Sequence, residues 1–346
     1  MRVHQSKISI GGITLLISEL PMQIAVLGLG FMGSMHVRAI GETPGVRLAA
    51  VYSSDAQKLS GDLSGIQGNL GGPGGQYDFS QVKPYRDIAE LLADPGIDAV
   101  DLCLPTDLHE AVTTQALRAG KHVLVEKPIA LDGASARRMI AEAGRAGRVL
   151  MCAQVLRFFP EYVALRDALG KLGPVRDAFF ARRCAEPAWG GWLKDPARSG
   201  GGAFDLLIHD IDICLHLFGR PRALAATGFD DWVAGQFFYD GFTARIEGGW
   251  QASPAYPFCM EYRVTGGSGA VEYSSAGAPP TLYAATAQPL PLAGVDGYAA
   301  EIGYFVECCR SGQRPERCPP EESAAAVDLT RALLDARKSN GEKLTC

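Results

Sequence analysis

The sequence predicts two domains in series: an N-terminal α/β domain on a doubly wound parallel sheet, then a C-terminal α+β domain with a largely antiparallel open sheet. Three observations lead there. Residues 22–153 alternate short apolar runs with helix-period runs, the pattern of βαβ units and of a sheet covered on both faces. The first apolar run, Ile24 to Leu27, breaks into Gly28, Gly30 and Gly33 and passes at once into a helix-like pattern. From residue 154 the alternation stops, and one early helix, a series of strand-like segments and two closing helices fill the chain to residue 346.

Composition sets the frame. At 346 residues, 47% hydrophobic and 21% charged, the chain can fill two cores and is not dominated by disorder. A net charge of -5 without long Lys/Arg runs argues against nucleic acid or an anionic membrane as main partner, and for a small molecule. The nine cysteines are scattered, with only Cys308 and Cys309 close together, which fits neither a disulfide framework nor a zinc ribbon and points to a reducing cytoplasm. Residues 1–21 read as an extension, an upstream start or a dispensable piece. The apolar patch Ile8 to Ile17 is too short and interrupted to span a membrane, and no small-residue cleavage site precedes Met22.

The stretch Gln23 to Ile40, QIAVLGLGFMGSMHVRAI, is the strongest local motif. A GxGxxG between an apolar strand and a helix is the phosphate-binding turn of a dinucleotide-binding Rossmann domain. Gly28 permits the turn, Gly30 lets the backbone approach a pyrophosphate, and Gly33 lets the helix pack on its strand; Phe31 and Met32, within the motif, are further cofactor-binding candidates. The next strand, Val46 to Tyr52, ends where such a fold judges the adenosine ribose. An acidic residue there suits NAD, whereas this chain has Ser53 and Ser54 with Lys58 nearby, neutral donors and a cation that favour NADP over NAD. Capping of the next helix by Ser53 and Ser54, with Asp55 serving NAD, is the competing reading.

Residues 61–77 are rich in Gly, Ser, Asn and Gln and read as a mobile surface loop, a tolerated insertion. Helix Ile88 to Ala93, strand Ala99 to Leu104, helix Leu108 to Ala119, strand His122 to Val125, helix Leu131 to Ala146 and strand Val149 to Ala153 complete the first domain. Ligands of such sheets lie beyond the carboxyl ends of the strands. Two of those ends carry candidate chemistry: Leu104, Pro105, Thr106 and His109 after one strand, and Glu126, Lys127 and Pro128 after the next. Lys127 is then a cation projecting into the crevice, while His109 is equally a packing residue at a helix start.

GLGFMG, LPTDLH and AGKHVLVEKP, in this order and spacing, resemble the Gfo/Idh/MocA oxidoreductase family. The resemblance extends over Met22 to Ser339 and continues at VLRFFPEY, where the family often carries an Arg-Phe pair near a proline. Arg157 is thus a candidate for a substrate oxygen or the cofactor carboxamide, or alternatively an interdomain bridge to Glu161.

In the second domain, strands are expected at Val175 to Arg183, Leu224 to Phe229, Ala234 to Phe238, Phe242 to Trp250, Phe258 to Thr265 and Ala270 to Tyr273. The closing helices are Tyr298 to Arg310 and Glu321 to Arg337. Between them, Gly202 to Phe218 reads as one helix with a buried stripe and a second, polar stripe of Asp205, His209, Asp212 and His216. By residue type that stripe is either a metal site or an acid/base pair in which Asp205 orients His209. The resemblance implies the second, since Gly200, Gly201, Asp205 and His209 match the family motif, with Asp212 a structural partner and no metal. Trp189 and Trp192, in a loop broken by Gly and Pro, are candidates for an apolar platform under a sugar ring.

The resemblance implies hydride transfer between a nicotinamide cofactor and a secondary alcohol or ketone of a sugar or polyol, with Lys127, Asp205 and His209 catalytic. The alternatives on the same fold are an NAD-dependent redox-neutral glycoside hydrolase and a non-catalytic cofactor-binding regulator. A homodimer or homotetramer through the open sheet is expected, with no nucleic acid and no membrane.

Overall fold

Strand-forming apolar runs come first in the chain and set the frame. The computed structural model describes residues 7–10 and 13–16 (backbone only), 20–68, 74–229, 231–339 and 341–346. Within the expected extension, β1 (Lys7–Ile10) and β2 (Ile13–Leu16) pair as an antiparallel hairpin.

The first domain then alternates β3 (Met22–Leu27), α1 (Phe31–Glu42), β4 (Val46–Tyr52), α2 (Ala56–Leu59), β5 (Lys83–Tyr85), α3 (Ile88–Ala93), β6 (Ala99–Leu102), α4 (His109–Arg118), β7 (His122–Glu126), α5 (Gly133–Ala146) and β8 (Leu150–Ala153). The six strands run parallel in the order β5-β4-β3-β6-β7-β8. Burial on both faces explains their nearly continuous apolar runs, such as Val123, Leu124 and Val125, each 0% exposed. Helix starts are set by side chains that accept orphan amides: Asp87 takes those of Ala89 and Glu90 at α3, and Asp132 that of Ser135 at α5.

The second domain contains α6 (Pro160–Ala168), β9 (Val175–Ala185), α7 (Pro196–Ser199), α8 (Ile208–Phe218), β10 (Ala223–Gly228), β11 (Trp232–Phe238), β12 (Thr243–Gln251), β13 (Cys259–Gly266), β14 (Ala270–Ser274), β15 (Thr281–Tyr283), β16 (Ala287–Pro289), α9 (Gly297–Ser311), α10 (Pro320–Ala336) and β17 (Leu344–Thr345). Its nine-stranded sheet has the order β16-β15-β14-β13-β9-β12-β11-β10-β17. All neighbours are antiparallel except the central pair β9 and β12, which is parallel.

Two features were not legible locally. Residues 203–207 form a π-helical turn, so the expected single helix from Gly202 to Phe218 has two different pitches. Helix α9, late in the chain, packs back onto α1: Tyr298, Ile302, Phe305 and Val306 share a core with Ile24, Val26, Val37 and Ile40. The first sheet is therefore covered in part by residues nearly 300 positions downstream. No helix among the described residues is long and apolar enough to cross a membrane.

Partly buried histidines make stability depend on pH. His122 Nδ1 accepts the Val149 amide at 3.0 Å, which requires the neutral ring. Burial, then the Arg148 cation, lowers its pKa to about 4; burial, then Arg157, Arg166 and Arg317, lowers that of His216 to about 4. Both lie below the unfolded value of 6.5. Between these values the unfolded chain binds more protons, so the contribution is complete above the unfolded pKa and is lost as pH falls towards the folded one. Tm measured by scanning fluorimetry is expected to fall between about pH 7 and about pH 4.5, and less steeply in the H122Q/H216Q double variant. Identical slopes would contradict the assignment.

Candidate active site

A cavity of about 660 Å³ lies along the carboxyl ends of the parallel strands and reaches the second domain. At one end is the glycine turn. Gly28 has φ +100, and a Cβ there would lie 2.5 Å from the Cys103 carbonyl oxygen; a Cβ on Gly33 would lie 1.9 Å from Gly28 O. A Cβ on Gly30 meets nothing within 4 Å, because that position opens into the cavity. Gly30 is also the N-cap of α1 and offers no side-chain acceptor to the first amides of the helix. Open space over uncapped amides at a positive helix end fits a dinucleotide pyrophosphate. Phe31 and Met32 line the same end.

The adenosine end departs from the expectation. Ser53 is buried and its Oγ accepts the Asp55 amide at 3.1 Å, while Ser54 is exposed, and neither lines the cavity. Asp55, rather than either serine, caps α2 by accepting the Gln57 amide. Asp55, Gln57 and Lys58 do line the cavity. Arg86, which no local motif marks, donates to Ser54 O at 3.0 Å and places a guanidinium at this strand end. Part of the glycine-rich loop also borders the cavity through Gly65, Ile66 and Gln67, so it is more than a surface insertion; residues 69–73 lie outside the described ones.

Lys127, at the end of β7, reaches across to the second domain. Its Nζ donates to Asp205 O at 2.7 Å and to Asp205 Oδ1 at 3.2 Å, and Trp250 Nε1 donates to Asp205 Oδ2 at 3.0 Å. Both carboxylate oxygens of Asp205 are thus engaged, and the expected Asp205–His209 hydrogen bond is absent. Asp205 lies in a π-helical turn and His209 in the α-helix that follows, so the two do not share one regular helical pitch. His209 lines the same cavity, but its Nδ1 is buried without a partner. Burial, then the Lys127 and Arg182 cations, holds its pKa well below the ordinary histidine value, so the ring is neutral. Lys127 and Asp205, from the two domains, meet directly across the cleft.

Other candidates divide. Leu104, Thr106, Glu126, Trp189 and Trp192 line the cavity, whereas Pro105 does not. His109 is 1% exposed and both ring nitrogens lie 2.9 Å from backbone carbonyls, Pro128 O and Leu104 O, so it joins two strand ends and does not face a cofactor. Arg157 is 2% exposed and forms a bidentate pair with Asp212 at 2.6 and 2.8 Å and a bond to Glu322 at 2.6 Å. It is an interior bridge, and its partner is Asp212 rather than Glu161. Trp250, which no sequence motif marks, holds Asp205, and Tyr298, to which the sequence resemblance gives a place at the helix start but no role, lines the cavity from α9. Their indole and ring positions depend on contacts far apart in sequence, which no local pattern announces.

This fold, with a glycine turn and a lysine at one interdomain cavity, defines a dinucleotide-binding protein of two-domain type. A family model described as an oxidoreductase family with an NAD-binding Rossmann fold matches residues 22–154, and one described as the GFO/IDH/MocA C-terminal domain matches residues 163–272. The chain belongs to the Gfo/Idh/MocA oxidoreductase family. It is 39% identical over 187 residues to a 1,5-anhydro-D-fructose reductase of Ensifer adhaerens, covering 47% of this chain and 56% of that one. It is 31% identical over 209 residues to an inositol 2-dehydrogenase of Rhizobium meliloti, covering 60% and 58%. These alignments span less than two thirds of those relatives. Among solved structures, an aldose-aldose oxidoreductase from Caulobacter crescentus complexed with glycerol superposes with a TM-score of 0.81 at 25% identity, covering 94% of this chain and 100% of that one.

The two glycines give separable outcomes. G30A is expected to leave Tm unchanged and weaken dinucleotide binding by about 10-fold or more, because its methyl group enters only the space for phosphate. G33A is expected to lower Tm as well, because its methyl group overlaps the Gly28 carbonyl. Fluorimetry and NADPH fluorescence titration distinguish them; equal Tm losses would refute the division.

Proposed function

We propose that this protein is a nicotinamide-dependent dehydrogenase or reductase that interconverts a secondary alcohol and its ketone on a sugar or polyol, with NADP preferred to NAD. The observation that carries the reading is the Lys127 ammonium, anchored on Asp205 in the cavity that also contains the open face of Gly30. The names of the two curated relatives support the substrate class. Trp189 and Trp192 add an apolar platform of the kind sugar rings stack on. Lys58 and Arg86, with Asp55 engaged in capping, support a 2′-phosphate at the adenosine end.

When bound, the nicotinamide supplies the hydride donor or acceptor. The chain's own share is orientation, proton movement and charge stabilisation. Two of the three Lys127 ammonium donors are held by Asp205, which leaves one for the reacting oxygen, where a cation stabilises developing negative charge. The neutral His209 ring is in the form that accepts a proton from a substrate hydroxyl. Asp205, fixed by Trp250, orients Lys127. A dimer or tetramer through the outer face of the nine-stranded sheet completes the reading, and light scattering tests it.

A screen of 1,5-anhydro-D-fructose, myo-inositol and common aldoses with NAD and NADP in parallel is expected to give catalytic, not stoichiometric, cofactor turnover. K127M should lower kcat by at least about 100-fold and leave the cofactor Kd within about threefold. Normal turnover in K127M would remove Lys127 from the mechanism. K58A and R86A should each weaken NADP binding by about 10-fold and leave NAD nearly unchanged; equal effects on both cofactors would count for NAD.

A further inference from the structure

In the cavity wall, from the lining residues Cys103, Glu126 and Tyr298 to the buried His36 behind them, lies a group of ionisable side chains that the proposed chemistry does not use. His36, on α1, is 0% exposed. Its Nδ1 is 2.8 Å from Asp101 Oδ2 on β6, and its Nε2 is 3.1 Å from Glu126 Oε1 on β7, off the ideal hydrogen-bonding direction. Cys103 Sγ is 3.7 Å from Nδ1, and the Tyr298 ring of α9 packs 5.9 Å away, centroid to centroid. Glu301, also on α9, is 0% exposed with neither carboxyl oxygen hydrogen-bonded.

The charge pattern is consistent with one arrangement. Burial works against a charged His36, but Asp101 and Cys103 outweigh it and raise its pKa well above the ordinary value. Burial raises that of Glu301 well above the usual carboxylate range; His36 opposes this, while Glu126, Asp101 and Asp212 add to it. A protonated His36 offsets one of the two carboxylates it touches, and a neutral Glu301 adds no further charge to the interior.

The geometry connects this group to the cavity. Glu126 presents Oε1 to His36, and its Oε2 accepts the backbone amide of Lys127 at 2.9 Å. The same Lys127 carries its Nζ to Asp205. We propose that His36 is a positioning residue for Lys127: seated between Asp101 and Glu126, it holds the Glu126 carboxylate on the Lys127 amide and so fixes the turn from which the ammonium projects. An apolar residue in this place would leave Glu126 without a lateral partner. The proposal rests on the reading that Lys127 acts at the reacting oxygen.

The test uses H36Q, E126Q and the double variant in the full chain. Each single variant is expected to lower kcat about 10- to 100-fold on the best substrate of the screen, with KM and the NADPH Kd within about twofold. Because both act through one contact, the double variant should be no slower than the worse single one. Losses that multiply, or wild-type kcat in both singles, overturn the proposal. Crystal structures of H36Q and E126Q give a readout that needs no substrate. The Lys127 turn is expected to shift with loss of the Nζ contact to Asp205, and an unmoved Lys127 in both overturns the proposal. If Lys127 shifts in these structures while K127M retains turnover, positioning stands and the catalytic reading of Lys127 fails. If K127M is inactive and Lys127 stays in place, the reverse holds.

Discussion

The contact between the Lys127 ammonium and Asp205 is the constraint on which the site depends. It joins the end of a parallel strand in the first domain to a π-helical turn in the second, with 2.7 Å to the carbonyl and 3.2 Å to the carboxylate. A lysine on a strand end would ordinarily extend into water and sample many rotamers, because its side chain carries large conformational entropy. Here two acceptors and an interior position, 14% exposed, restrict it. Asp205 lies in that π turn, where its carboxylate meets Lys127 and Trp250 and not His209.

Around that contact, interior ion pairs brace the second domain from within. Arg157 binds Asp212 and Glu322, and Arg182 binds Asp210 and Tyr162. Both arginines are 2% exposed, so each is desolvated and depends on several acceptors at once. Such pairs are costly to break rather than strongly stabilising in total, which makes them better suited to fixing geometry than to raising stability. Helix α9 adds an apolar clamp, inserting Tyr298, Ile302 and Phe305 into the first domain's core and bringing Glu301 beside His36. The His36 cluster and the arginine pairs thus form and back part of the cavity wall.

The fold was largely legible. Val46–Tyr52 and Ile88–Ala93 are read from the sequence with the bounds the structure gives, because period and turn residues agree there. The site was legible in part. Lys127 stands out because a charge after a buried apolar strand must emerge at a strand end, and the glycine turn because its backbone needs are local. Ser53, His109 and Arg157 misled: each has the right chemistry in the right region, but its partner is a backbone group or a residue such as Asp212, 55 positions away. The stripe Asp205, His209, Asp212 and His216 misled in another way, since a constant helical pitch was assumed through residues whose pitch changes.

The sequence alone therefore determined the family, the two-domain order, the parallel sheet and the phosphate-binding turn. The family rests on the resemblance of GLGFMG, LPTDLH and AGKHVLVEKP, and the rest on period, glycine stereochemistry and apolar runs, all of which act within a few residues. Only the tertiary structure decided that Asp205 belongs to Lys127, that Arg157 is interior, that Arg86 reaches Ser54 at the end of β4 and that His36 lies between Asp101 and Glu126. These depend on which long side chains find acceptors once the domains pack, and that choice is made by burial and distance between segments the sequence keeps far apart.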